Sequence, residues 1–134
     1  MSAARHFHAL LLLCPLALCA EELKCSHKGL DEYWINKITI DTETKKVLLD
    51  VGPYRAPVSV IEGELIYADD SKINGYPAYA FNAPAGSKPN QINAFKLFHV
   101  FNSWRLIDAG ILFMDGRPTL VALGSTTEFN CHVR

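Results

Sequence analysis

The sequence has little excess charge, few cysteines and no long hydrophobic run. Its 134 residues carry 13 basic and 14 acidic side chains, which gives a net charge of −1. This balance argues against a nucleic-acid partner, because nucleic-acid binders neutralise phosphates with clustered Lys and Arg. The apolar run over residues 9–20 is shorter than the roughly 20 residues that a membrane-spanning helix requires. We therefore expect no transmembrane segment in the mature chain.

The sequence also lacks the motifs of the common enzyme classes. GxSxG, HExxH, P-loop and dinucleotide-binding patterns are all absent. Glu62 and Glu64 share one face of a predicted strand, whereas glycosidase carboxylates flank the scissile bond from separate elements. His99 lies among apolar residues, as a hydrogen-bonded structural histidine would. We therefore expect a non-enzyme without a cofactor, and the alternative is an unrecognised hydrolase built on Glu62, Glu64 or His99.

The first twenty residues have the three parts of a secretory signal peptide. Arg5 precedes the apolar run, the run ends before two glutamates, and Ala20 is a small residue at the predicted cleavage site. Cleavage after Ala20 leaves residues 21–134 as a single domain. We expect this domain to be exported, either to the periplasm or out of the cell.

A bacterial lipoprotein signal is the alternative interpretation of the same segment. Residues 16–19 resemble a lipobox, in which Cys19 would carry lipid and tether the protein to a membrane. Leu18 departs from the small residue that such boxes carry before the cysteine. The sequence therefore leaves a lipid anchor open as the second possibility.

Two cysteines, Cys25 and Cys131, remain after cleavage, one near each end of the domain. An oxidising compartment favours a disulfide between them. The alternation of apolar and polar residues places Cys131 on the same strand face as Phe129 and Val133, so the cysteine is predicted to point inward. A bridge between such distant positions restricts the unfolded chain and stabilises the fold by about 2–5 kcal/mol.

Two groups of residues have some of the character of a metal site. The zinc-type ligands are Cys25, His27, Cys131 and His132. The strand alternation puts His132 on the face opposite Cys131, whereas zinc needs ligands that converge on one point. The acidic turn at residues 69–75 lacks the ligand spacing of a calcium loop. We therefore expect no metal.

Short stretches of alternating apolar and polar residues, separated by turn sequences, run through the domain. Residues 34–41 and 47–51 flank a polar turn and predict a β-hairpin. Asp115-Gly116 is typical of a type I′ turn and predicts a second hairpin. About eight short strands result, which predicts an all-β fold, a small antiparallel barrel or sandwich whose terminal strands are joined by the disulfide.

Two segments depart from simple alternation. The apolar residues change phase within residues 58–67, which predicts a β-bulge near residues 61–63. Residues 92–104 fit neither a helical nor a strand period cleanly. We predict a strand there, because the flanking strands need a partner, and keep one short helix as the alternative.

An exported β-domain without a catalytic set is expected to work through its surface. Residues 68–91 combine two long loops with tyrosines, and loops on a rigid scaffold are common recognition sites. Together with an exposed arginine at the second hairpin, the candidate partner-binding residues are Asp70, Lys72, Tyr76, Tyr79, Lys88 and Arg117. For Tyr79 the alternative is that the ring packs inward.

The sequence therefore favours a small exported protein that binds and neutralises another protein. An inhibitor or immunity protein against a cell-wall-degrading enzyme is the leading hypothesis, and this inference rests on architecture alone. The second hypothesis is a carrier of a small ligand or lipid, in which Phe and Tyr side chains line the interior of a barrel.

Overall fold

A computed structural model describes residues 21–29, 33–53, 59–69, 77–85, 89–124 and 126–134. The predicted signal peptide and lipidation at Cys19 lie outside these residues. All regular secondary structure within them is β-strand, so the helical alternative for residues 92–104 is wrong. The nine strands are β1 (Glu22–His27), β2 (Ile35–Asp41), β3 (Lys46–Val51), β4 (Ser59–Asp69), β5 (Ala78–Pro84), β6 (Gln91–Val100), β7 (Ser103–Met114), β8 (Arg117–Leu123) and β9 (Thr127–Val133).

Eight of these strands form a closed antiparallel barrel. The strands from β1 to β7 pair in chain order, and β9 pairs with both β7 and β1 to complete the circle. β8 pairs with β7 but stands outside the circle as one extra strand. The predicted all-β class is thus confirmed, and of the two predicted architectures the structure has the barrel.

The disulfide joins the two strands that close this barrel. Cys25 on β1 lies directly opposite Cys131 on β9, and the two are bonded across 106 positions of sequence. Cys25 and its neighbour Leu23 point into the core, and Cys131 is partly buried against it, as the alternation around Cys131 predicted. The disulfide prediction is confirmed, and such a bond is consistent with an oxidising, exported location.

Side-chain contacts hold β9 to the strands on both of its sides. Glu128 of β9 accepts hydrogen bonds from Lys28 Nζ, just after β1, and from Ser103 Oγ of β7, each at 2.8 Å. These two donors hold the pKa of the Glu128 carboxyl below its usual value, because they stabilise its charged form. These contacts connect β9 with β7 and with the residue that follows β1 at the surface of the barrel.

The barrel interior is filled by side chains from alternate positions of the strands. The rings of Phe81 and Phe95 stack at a centroid distance of 4.9 Å, and Trp34 lies 5.9 Å from Phe95. Burying apolar side chains, of which aromatic rings are the largest, supplies most of the driving force for folding. The buried apolar residues are Leu23, Cys25, Ile35, Ile38, Ile40, Val47, Leu49, Leu65, Tyr79, Phe81, Ala83, Phe95, Leu97, Leu106 and Phe129.

The irregular positions differ in part from the predicted ones. The register of β3 with β4 is continuous through residues 61–63, so the bulge predicted there is wrong. The shift occurs instead between Leu65 and Tyr67 in the pairing of β4 with β5, where Ile66 is the extra residue. Residues 92–104 form strand as predicted, but a turn at residues 101–102 divides them between β6 and β7.

Candidate protein-binding hairpin

The most distinctive surface element is the hairpin formed by the second half of β7 and the whole of β8. The first part of β7 pairs with β9, over Trp104–Leu106, and the later part pairs with β8, from Ala109 onward. Both pairings use the same edge of β7. The hairpin of residues 109–123, called the projecting hairpin below, therefore continues past the place where β9 leaves the sheet.

The projecting hairpin is exposed and apolar on both of its faces. Paired residues of antiparallel strands share a face, so Leu120 lies beside Ile111 and Leu123 beside Ala109 on the outer face. Leu120 is 61% exposed and Leu123 is 70% exposed. The opposite face carries Met114, which is 56% exposed. A surface with exposed apolar side chains on two sides is typical of an element that a partner encloses.

The free edge of β8 is not well suited to pairing with a further strand. Pro118 lies opposite Phe113, whose N–H donates instead to the Asn90 carbonyl on the β6 side at 2.7 Å. Pro118 thus occupies a position that needs no hydrogen bond to β7, and its ring nitrogen offers no donor at the open edge. The irregular register beside Gly110 further interrupts that edge. Side chains, rather than backbone groups, are therefore the available contacts.

The tip of the projecting hairpin is the two-residue turn that the sequence predicted. Asp115 and Gly116 have φ values of 50° and 73°, as a type I′ turn requires. Arg117, which the sequence indicated as a partner-binding residue, is exposed directly after this turn. The tip thus combines a guanidinium, able to bind a carboxylate in two-point geometry, with the apolar Phe113 and Met114.

A hydrogen bond anchors the base of the projecting hairpin to the barrel. The Tyr33 hydroxyl donates to Asp108 Oδ1 at 3.2 Å, and the amide of Gly124 donates to the Asp108 carbonyl at 2.8 Å. A Cβ at Gly124 would collide with the Asp108 carboxylate, so a larger residue at this position would require the Asp108 side chain to move. Asp108 therefore links the segment before β2 to both ends of the hairpin's base.

The same environment shifts the ionisation of Tyr33. Burial raises the pKa of its phenol above the usual value, and the adjacent Asp108 carboxylate raises it further. The ring lies 5.8 Å from that of His27 and meets the ring of Phe129 edge-on at 6.2 Å. Tyr33 therefore remains a neutral hydrogen-bond donor well into the alkaline range.

Elsewhere on the barrel the exterior carries ion pairs. Lys24 lies 2.9 Å from Glu22 on β1, and Lys46 of β3 lies 3.2 Å from Glu62 of β4. Such exposed pairs contribute little to stability. They lie on β1, β3 and β4, where β4 also exposes three large apolar side chains, whereas the projecting hairpin exposes five.

The structure describes two of the six partner-binding residues that the sequence indicated. Asp70, Lys72, Tyr76 and Lys88 lie outside the described residues. Tyr79 is only 6% exposed and its ring lies 6.1 Å from that of Trp104, so it packs inward, as the alternative interpretation had it. Arg117 is the one member of this set that the described residues place on an exposed element.

The residues considered for catalysis do not converge. Glu62 and Glu64 project from the outside of β4, where Glu62 pairs with Lys46. His99 lies on β6 with its ring 5.1 Å from that of Trp104. Among the residues that the structure describes, no three His, Cys, Asp or Glu side chains cluster closely enough to hold a metal ion.

Sequence reasoning missed the apolar residues of the projecting hairpin. The sequence of residues 118–123 predicts an ordinary buried strand that pairs back with β7, because its apolar side chains are those of a buried strand. The available signal was weak: Pro118 in a strand is typical of an edge, and a continuous apolar run next to it is unusual for an edge.

Comparisons with known proteins identify no relative. No protein-family model, no curated protein sequence and no solved structure matches the chain. A separate observation concerns helices: within the described ranges, none is long and apolar enough to cross a membrane. Any functional conclusion therefore depends on the geometry of this chain.

Proposed function

We propose that the protein is a small exported binding protein that neutralises another protein by inserting its projecting hairpin into a cleft of that partner. The observation that carries this proposal is the exposure of apolar side chains on both faces of one protruding element, with Leu120 and Leu123 on one side and Met114 on the other. A flat partner surface would cover one face only. A concave partner covers both.

The chemistry of the hairpin indicates what such a cleft contains. Apolar walls would cover Phe113, Met114 and Leu120, and a carboxylate near the tip would pair with Arg117. Polysaccharide-cleaving enzymes have open clefts with catalytic carboxylates. An inhibitor or immunity protein against a cell-wall-degrading enzyme therefore fits the hairpin, and blocking the cleft would stop the reaction without any catalysis by this chain.

The rigidity of the hairpin's base supports the same function. The Tyr33–Asp108 hydrogen bond and the Gly124–Asp108 backbone bond fix the hairpin's direction before a partner arrives. An element that is already ordered loses less conformational entropy on binding. The interior aromatic side chains, which a carrier would use to line a cavity, contact one another instead, so the carrier hypothesis gains no support from the described interior.

The test uses one substitution in the hairpin and one matched control. Leu120→Lys places a charge on the apolar outer face, while Val60→Lys does so at a position of equal exposure, 60% against 61%, on β4. The purified protein is titrated into muramidases and other secreted cell-wall hydrolases while their turnover is followed. We expect one-to-one inhibition of at least one enzyme, weakened at least about tenfold by Leu120→Lys because a central contact is worth about 2 kcal/mol or more and about 1.4 kcal/mol corresponds to tenfold.

The control decides whether the hairpin is the site. Val60→Lys is expected to inhibit as the unaltered protein does. If Leu120→Lys also inhibits normally, the hairpin does not bind the enzyme. If the unaltered protein neither binds nor inhibits any of the hydrolases, the proposed inhibitor function is wrong.

A further inference from the structure

The turn between β6 and β7 holds a phenylalanine in an unfavourable position. Phe101 and Asn102 are the central residues of a two-residue turn, with φ values of 51° and 59°. A bulky side chain rarely adopts this left-handed conformation, because its Cβ approaches the following carbonyl. The corresponding turn at the other end of β7 uses Asp115 and Gly116, the residues that this geometry favours.

Phe101 is also the most exposed of the large apolar residues that the structure describes. Its side chain is 89% accessible to solvent. One exposed apolar residue is ordinary on a protein surface. A residue that combines such exposure with an unfavourable backbone conformation is unusual, because contacts within the barrel compensate neither the exposure nor the conformation.

The position of this turn in the barrel indicates which side of the molecule it marks. Phe129 pairs with Trp104, so the rest of β9 runs toward the turn, and Val133 at its end is 54% exposed. Leu23 pairs with Val133, which brings the start of β1 to the same end. This end, called the terminal end below, is opposite to the tip of the projecting hairpin.

The sequence before β1 adds a second observation about the terminal end. The apolar run of residues 9–20 stops directly before Glu21, whose carbonyl accepts a hydrogen bond from the Thr42 amide at the terminal end. A signal peptide that is still attached would contact the bilayer through residues 9–20, and a lipoprotein would do so through the lipid on Cys19. In both cases the bilayer contact lies within two residues of Glu21 at the terminal end. The exposed Phe101 then faces the same bilayer.

We propose that the terminal end is a membrane-contacting surface, on which Phe101 inserts into the interfacial region of a lipid bilayer. Phenylalanine suits this role because its ring is apolar throughout and two χ angles limit the entropy lost on insertion. The turn between β2 and β3, across the barrel at the same end, carries charges of both signs in Glu43 and Lys45. Insertion therefore depends on the apolar ring and not on attraction to anionic lipid.

This arrangement gives the barrel two ends with different tasks. The terminal end lies on the bilayer, and the projecting hairpin points away from it toward a soluble partner. The membrane proposal does not depend on the proposed inhibitor function, because it concerns different residues and is tested without any partner protein.

The experiment measures binding to phosphatidylcholine vesicles by flotation. The 134-residue chain is expressed in an exporting host and purified as the host processes it, and its N-terminus is established by mass spectrometry. The variants are Phe101→Asn, which keeps a residue suited to the left-handed turn, Phe101→Trp, which keeps an apolar ring, and Val60→Asn, an exposed apolar position near the opposite end of β4.

We expect Phe101→Asn to partition onto vesicles about tenfold more weakly, the factor that corresponds to no longer burying a phenylalanine side chain. Phe101→Trp and Val60→Asn are expected to bind as the unaltered protein does, and 0.5 M salt should leave binding unchanged. The same Phe101→Asn variant should melt at a higher temperature, because asparagine adopts the left-handed conformation more readily.

Three outcomes would overturn the proposal. The first is no binding of the unaltered protein to vesicles, and the second is equal binding by Phe101→Asn. The third is binding that requires anionic lipid and disappears in salt. A higher melting temperature for Phe101→Asn with unaltered vesicle binding would show that the turn is strained for another reason.

Discussion

Tyr33 is the residue through which the barrel holds the base of the projecting hairpin. Its hydroxyl donates to Asp108 Oδ1, and burial together with that carboxylate raises the pKa of the phenol. A raised pKa in the folded state means that the fold favours the protonated phenol. The stability that the protonated Tyr33 phenol adds to the fold is therefore complete below the pKa of the phenol in the unfolded chain, about 10. It is lost as the pH rises above that value toward the pKa of the phenol in the fold.

We predict that Tyr33→Phe flattens this alkaline loss of stability. The free energy of unfolding of the unaltered protein, measured in urea at several pH values between 8 and 11, should fall above about pH 10. In the variant the free energy of unfolding should fall less over this range, because the variant lacks the phenol that stays protonated in the fold and ionises in the unfolded chain. At pH 8 the variant should be about 1–3 kcal/mol less stable, since Asp108 loses its donor.

Tyr67→Phe is the comparison for this experiment. Tyr67 also has a raised pKa, owing chiefly to its hydrogen bond with Asp69, but its side chain lies on the exterior of the barrel. Its removal should change the stability at pH 8 by little. Equal alkaline slopes in Tyr33→Phe and the unaltered protein would contradict the role given to Tyr33.

At the scale of the strand, Gly63 marks a close approach between β4 and β5. Its position on β4 faces inward, and an added Cβ would lie 2.5 Å from the Asn82 carbonyl oxygen on β5. That atom belongs to the backbone of a paired strand and cannot move without disturbing the sheet. Glycine is therefore required here by space, whereas at Gly116 it is required by a positive φ.

These two causes predict different costs for alanine. Gly63→Ala should destabilise the fold by about 1–3 kcal/mol, the usual range for forcing extra volume into a packed site. Gly116→Ala should cost about 1 kcal/mol, because only the left-handed backbone conformation is penalised and nothing lies near the new methyl group. Both values come from urea unfolding, and a Gly63→Ala variant as stable as the unaltered protein would show that the strands can separate there.

The strands with clear alternation and standard turns are the ones that could be predicted. Residues 37–41 of β2 and 46–50 of β3 alternate on either side of a polar turn, and Asp115-Gly116 is a turn sequence by itself. Phe101–Asn102 could not be predicted as a turn, because the sequence favours strand and only the pairing of β6 with β7 forces the left-handed conformation. Local propensity was overruled there by long-range strand pairing.

The candidate site was harder to predict than the fold for a related reason. Whether Leu120 lies in the core or in solvent depends on where β9 replaces β8 along the edge of β7. That switch occurs at the irregular register beside Gly110 and at Gly124, and neither has a distinctive sequence pattern. The sequence indicated Arg117 because a charged residue at a turn is expected to be exposed. An apolar residue such as Leu120 is expected to be buried, so its exposure could not be predicted.

At the scale of the whole molecule, the barrel is closed by the pairing of the first strand with the last. Cys25 and Cys131 lie opposite each other in that pairing, so the disulfide holds together chain ends that are 106 positions apart. In the unfolded chain the bond removes conformations that the reduced chain can explore. The cysteine pattern and the expected compartment were sufficient to predict this bond, because only two cysteines remain after residue 20.

We predict that breaking this bond lowers stability while the barrel remains the favoured fold. The double variant Cys25→Ser, Cys131→Ser should be about 2–5 kcal/mol less stable than the oxidised protein in urea unfolding, with the far-ultraviolet spectrum of a β-protein retained at low urea. The oxidised protein treated with dithiothreitol should approach the same stability, and the double variant should not respond to the reductant. A double variant that matches the oxidised protein in stability, or thiol titration that finds both cysteines free, would mean that strand pairing and the Glu128 contacts close the barrel without help from the disulfide.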